Sequence, residues 1–169
     1  MINVLVPVDG SPNSLFAVRQ VMKEFAKDRA MHIHLLNVQP HFSRHIARFA
    51  NRKSTGAFHH EQAEKAFDPV RRVLDSAGVP YTTHMELGKK AESIAATATR
   101  LNCDHIVMSA ARKNSLTRML EASVTNRVLE LTTVPVEVIA GEAVSRLENY
   151  GVPASFGAVL GLVLIAAAD

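Results

Sequence analysis

The sequence predicts an α/β fold, an open sheet of five mainly parallel strands flanked by helices, followed by an apolar C-terminal helical tail. Three observations carry this expectation. Short β-branched and apolar runs recur along the chain, and the segments between them repeat apolar residues at helical spacing. The two kinds of segment also alternate, which is the pattern of a sheet built by helical crossovers.

Taken in order, Asn3 to Val8 is an apolar run that stops at Asp9-Gly10-Ser11-Pro12, a strand buried on both faces followed by a turn. Ser11 is placed to cap a helix whose first position suits Pro12, and Leu15, Val18, Met22 and Phe25 then mark its buried face to about Lys27. His32 to Val38 is the second strand. From Gln39 to about Phe58 the chain is basic and lacks a sustained apolar period, so a long connection or a short basic helix both fit. Helical spacing returns at Ala63, Phe67, Val70 and Leu74, with Pro69 expected to kink or restart the helix before Gly78 ends it. Val79 to Leu87 is the third strand, and an alanine-rich helix follows from about Lys89 to Leu101. His105 to Ser109 forms the fourth strand and Ala110 to Thr117 a polar, basic loop. A helix near Arg118 to Thr132, with Ser123 as a cap, leads to a fifth strand from Val134 to Ile139, which Pro135 places at a sheet edge.

The 169 residues suffice for one domain plus a short appendage. Apolar residues at 47% and charged residues at 21% exclude wholesale disorder and a polytopic membrane protein. A net charge of +3, with the cations scattered, gives no reason to expect a nucleic-acid partner. The single Cys103 excludes an internal disulfide and reads as a small buried apolar residue. The N-terminus lacks the features of a secretory signal, so a cytoplasmic location is expected.

Ligands of open parallel sheets sit beyond the carboxyl ends of the strands, where the strand order reverses. The candidate positions are therefore Asp9-Gly10-Ser11, Val38-Gln39 and Ser109 to Ser123. Asp9 suits either a ribose or metal-bound water, or the capping of the next helix turn. Phosphate cradles need glycine to curl closely around the anion, yet no glycine occurs between Gly88 and Gly141. That loop offers Arg112, Lys113 and Arg118 instead, with Ser123 and Thr125 at a helix start able to receive an anion; a solvated basic loop is the plainer reading. No nucleophile, base and acid stand in a recognised arrangement, so enzymatic activity is not expected. His59-His60, with His41 and His45, lack partners at a recognised spacing and are not expected to hold a metal, while His32 and His34 share one face of a strand.

Three segments in this order, Val4 to Ser11, Cys103 to Met108 and Ser115 to Ile139, resemble the universal stress protein family over roughly Met1 to Gly141. The resemblance implies a Rossmann-like five-stranded sheet and a homodimer that pairs through the last strand, here Val134, Val136 and Val138. The family's ATP-binding members carry Gly-x-x-Gly, nine residues, then Gly-Ser or Gly-Thr. Those glycines fall on Ser109, Arg112 and Ala122, and only the hydroxyl position is kept, at Ser123. The candidate adenine-nucleotide residues that the resemblance implies are Val8, Asp9, Val38, Met108, Ser109, Arg112, Ser123, Val124 and Thr125. Asp9 takes the acidic position near the ribose and Val38 the strand-end position near adenine. The chain is in this respect similar to the A-type, non-ATP-binding branch. The resulting expectation is a stress-response protein that acts through binding or protein interaction, with no cofactor required and ATP binding impaired. The alternative is an ATP- or AMP-binding member with weak hydrolysis or a switch role.

Residues 142–169 form a connector and an apolar tail beyond this domain. Val152 to Ala168 carries no charge and is just long enough to span a bilayer, but lacks an aromatic belt and a basic cluster beyond it. Docking on the dimer or in an apolar groove is the expectation, with membrane association the alternative.

Overall fold

The computed structural model describes residues 1–42, 52–112 and 124–143. Five strands, β1 (Ile2–Pro7), β2 (Met31–Gln39), β3 (Tyr81–Leu87), β4 (His105–Arg112) and β5 (Val136–Ala143), form one sheet in the order β3-β2-β1-β4-β5. Every neighbouring pair is parallel. The helices among the described residues are α1 (Ser14–Lys27), α2 (Arg52–Ser76), α3 (Lys90–Arg100) and α4 (Val124–Leu131).

Strand alternation explains the two cores. The side chains of Val4 and Val6 in β1, and of Val8 just beyond it, enter one cluster with Val18, Val21 and Phe25 of α1 and Phe67, Val70 and Leu74 of α2. Leu5 points the other way, into a cluster with Leu36, Ile106 and Met108 of the sheet, Ile94 and Ala98 of α3 and Val128 of α4. A central strand covered on both faces needs a continuous apolar run, which is why β1 shows no polar alternation.

Several boundaries differ from the expectation. The first helix starts at Ser14, with Asn13 at its N-cap; Ser11 lies in the preceding turn, where its hydroxyl donates to Asp9 Oδ1 at 2.6 Å and its carbonyl accepts from the Ser14 N–H at 3.1 Å. Helix α2 begins at Arg52, inside the basic stretch, and does not restart at Pro69, which lies within it on an exposed face. Burial of Ala66, Phe67 and Val70 on either side holds the helix together where the missing N–H would weaken it. The third strand starts at Tyr81 and the fifth at Val136, each two residues later than expected. Pro135 sits at the entry to β5, the sheet edge, and its carbonyl accepts from the Ile106 N–H at 2.8 Å.

The largest departure is at the end of β4. The expected loop from Ala110 is strand as far as Arg112, paired with a β5 that itself runs to Ala143 through a register shift between Ala110 and Arg112. Without glycine to permit a tight curl, the chain continues in extended pairing. The strand therefore passes the Gly141 boundary read from the sequence by two residues. Residues 113–123 and the apolar tail lie outside the described residues, as does Ser123 with its expected cap. No helix among the described residues is long and apolar enough to cross a membrane.

Candidate functional site

The sheet order reverses between β1 and β4, so their carboxyl ends diverge and leave a crevice between the flanking loops. A cavity of about 120 Å³ opens there. Of the nine residues singled out from the sequence, Val8, Asp9, Val38, Met108, Ser109, Val124 and Thr125 line it. Arg112 stands at the end of β4 and Ser123 lies outside the described residues. Leu36, Val38, Ile94 and Met108 supply apolar walls, while Asp9, Ser14, Ser109 and Thr125 add oxygen-bearing groups. A second, more open cavity of about 370 Å³ adjoins it and shares Asp9, Val38 and Lys90.

The turn after β1 is built around Asp9. Its Oδ1 accepts from the Ser11 N–H at 3.0 Å, the Ser11 hydroxyl at 2.6 Å and the Ser14 hydroxyl at 2.7 Å. Partial burial pushes the carboxyl upward, but the bonds from Ser11 and Ser14, with a smaller contribution from Lys90, hold it below its ordinary value. Asp9 is thus ionised and fixed. All three bonds fall on one oxygen, and Oδ2 accepts none from the described residues. These bonds show Asp9 shaping the turn and the start of α1, the capping part of its two expected readings.

The buried Asn37 amide donates to the Val8 carbonyl at 2.7 Å, and Gln39 donates to Asn37 at 2.7 Å. These bonds tie the ends of β1 and β2 and keep Val8 and Val38 in place. Lys90, at the start of α3, was missed by the sequence reading. The rule that pointed to the loops after the other strands applies equally to Gly88-Lys89-Lys90 after β3, and would have found it.

The remaining candidates lie elsewhere. His59 is buried, its ring centroid 4.5 Å from that of Phe42, whereas His60 and His41 are exposed and His45 is outside the described residues. Cys103 is buried, and its thiol is pushed up to about 11 by burial and by Asp104, which leaves it in the unreactive form.

A parallel sheet of order β3-β2-β1-β4-β5 with a crevice at its switch point defines the class of doubly wound α/β folds. The universal stress protein family model matches residues 1–140, and the chain belongs to that family. It is 28% identical to universal stress protein MJ0531 of Methanocaldococcus jannaschii over 145 residues, 80% of each chain. The universal stress protein of Archaeoglobus fulgidus in complex with dAMP superposes with a TM-score of 0.61 at 16% identity, over 82% of this chain and 98% of that one. A family protein of Arabidopsis thaliana with AMP bound superposes with a TM-score of 0.60 at 16% identity, over 91% and 99%. At these identities the structural likeness concerns the fold alone.

Proposed function

We propose that this protein is a non-catalytic stress-response module that accepts an adenine nucleoside or its monophosphate in the β1/β4 crevice but lacks a firm grip on a triphosphate. The observation that carries this reading is the extended pairing of β4 with β5 through Arg112. A triphosphate cradle requires the backbone at that point to leave the sheet and turn its N–H groups towards the anion. Here the backbone continues along the ladder. The apolar walls and the Asp9 carboxylate suit a base and a sugar, and both dAMP and AMP occupy structural neighbours of this chain.

Calorimetry with AMP, ADP and ATP, each with and without magnesium, tests this. AMP and ATP are expected to bind within a few-fold of each other, and Asp9→Asn, which keeps an acceptor for the turn, should weaken both. ATP binding at low micromolar Kd, at least about tenfold tighter than AMP and lost in Arg112→Ala, would overturn the reading.

Lys90 favours a second reading, in which cations replace the lost cradle and the protein binds nucleotide as a switch with weak hydrolysis. Its position on both cavities supplies an ammonium where a phosphate chain would leave the crevice. Arg112, Lys113 and Arg118 would add to it. The same titration decides between the two.

The assembly proposed is a homodimer through β5, in keeping with the family's common state. Val134 and Val136 are half-buried and Val138 is 43% exposed on this edge strand, an apolar stripe that a second copy would cover. The proposed compartment is the cytoplasm, and docking on protein is proposed for the tail.

A further inference from the structure

We propose that Glu24, His105 and Glu137 form a binding site for a divalent transition-metal cation of zinc's class, at the amino end of the sheet and away from the nucleotide crevice. Glu24 belongs to the C-terminal part of α1, His105 opens β4 and Glu137 is the second residue of β5. Val107 pairs with Glu137, so His105 and Glu137 are diagonal neighbours on one sheet face, the face across which α1 packs. One ligand atom from each residue lies within 4.8 Å of the other two.

The arrangement is more than an ion pair. Glu24 divides its oxygens: Oε1 accepts from the Gln20 amide at 2.9 Å, while Oε2 lies 3.5 Å from His105 Nε2. The same Gln20 nitrogen donates to Glu137 Oε1 at 3.2 Å. One amide therefore draws two carboxylates together beside an imidazole. Among the described residues neither carboxylate has a lysine or arginine within ion-pair distance, and His105 is the nitrogen group beside them. Two carboxylates gathered beside one imidazole in a half-buried place suit a divalent cation, whose charge would compensate theirs.

The donor set selects the cation. An imidazole nitrogen with two carboxylate oxygens suits zinc and its neighbours, whereas magnesium and calcium prefer oxygen alone. Three protein ligands leave a fourth position for water. In a tetrahedral site ligand atoms stand roughly 3.3 Å apart. The Glu24–His105 edge is already near that value, and rotation about the flexible glutamate side chains would close the rest. Gln20 would keep hold of Glu24 Oε1 while Oε2 faces the metal, the usual part of an outer-shell group. A bound ion would clip α1 to β4 and β5 and so stabilise the sheet edge.

The test is calorimetry of zinc chloride on the full chain, repeated with cobalt(II) followed by visible absorption. Wild type is expected to bind one zinc per chain through this site and to melt at a higher temperature when zinc is present. His105→Gln, Glu24→Gln and Glu137→Gln should each lower the affinity by about tenfold or more and abolish the cobalt spectrum. The chain has eight histidines, so His34→Gln and His60→Gln serve as controls and should leave binding unchanged. Absence of zinc binding at submillimolar concentration would overturn the proposal. So would binding that survives the three substitutions or disappears in the histidine controls. Urea unfolding of each variant without metal checks that a loss is not misfolding; Glu24→Gln and Glu137→Gln preserve shape and decide the matter if His105→Gln does not fold.

Discussion

At Gly10 a single residue governs the geometry of the crevice. Its φ of +81° lies in the left-handed region, and a Cβ built there would come within 3.2 Å of the Ala66 Cα in α2. Helix backbone cannot yield as a flexible side chain would. Gly10→Ala is therefore expected to destabilise the protein by about 1–2 kcal/mol from the backbone conformation alone, measured as a lower urea midpoint at unchanged slope. An unchanged midpoint would show that the turn can relax away from α2. The need for a glycine after β1 was legible in the sequence, because Asp9-Gly10-Ser11-Pro12 is turn chemistry. The neighbour that enforces it was not, since Ala66 lies on a helix beyond the next strand. The same holds for Asp9: its type and place could be read, but the bonds that its Oδ1 accepts depend on where Ser14 falls.

At the scale of the element, the pairing of β2 with β3 gathers histidines. His32 and His34 share a face of β2, with ring centroids 4.4 Å apart, and His34 Nδ1 meets His84 Nε2 of β3 at 3.1 Å. Burial, followed by the charges of His32 and His84, lowers the His34 pKa from 6.5 to about 4. The folded protein thus resists protonation that the unfolded chain accepts. The stabilisation tied to neutral His34 is present above the unfolded value of 6.5 and is lost as pH falls towards about 4. Urea midpoints should drop across this interval, and the drop should be smaller in His34→Gln. Equal drops in the two proteins would assign the acid sensitivity to other groups. Period two placed His32 and His34 together from sequence, but nothing local placed His84 opposite them. Helix α2 teaches a related lesson, since Pro69 signals a break while the buried face around it sustains one helix.

For the whole molecule, the open edge at β5 is the feature that bears on assembly. The other edge, β3, exposes Met85 and Leu87 among Thr82, His84 and Glu86, while at β5 the half-buried Val136 adjoins Val138, which is 43% exposed. Sedimentation is expected to show a dimer that Val138→Lys converts towards monomer, because a cation on the stripe would have to be buried without a partner. A monomeric wild type, or a variant that remains dimeric, would remove β5 from the interface. Zinc adds a second measurement at this scale, for the Glu24, His105 and Glu137 cluster lies beside the same edge.

By itself the sequence determined the number, type and order of the described elements, the apolar faces they bury, and most of the residues that line the crevice. The elements and their faces are local properties that follow from periodicity and turn chemistry; the strand-end rule gave Asp9, Val38 and Ser109, and the family resemblance implied the other candidates that line the crevice. The tertiary structure alone decided the order β3-β2-β1-β4-β5, the entry of Lys90 into the crevice, the run of β4 through Arg112, and the meeting of Glu24, His105 and Glu137. Parallel strands are neighbours through long crossovers, so which side chains meet across them depends on register and strand order, and no spacing along the chain encodes that directly.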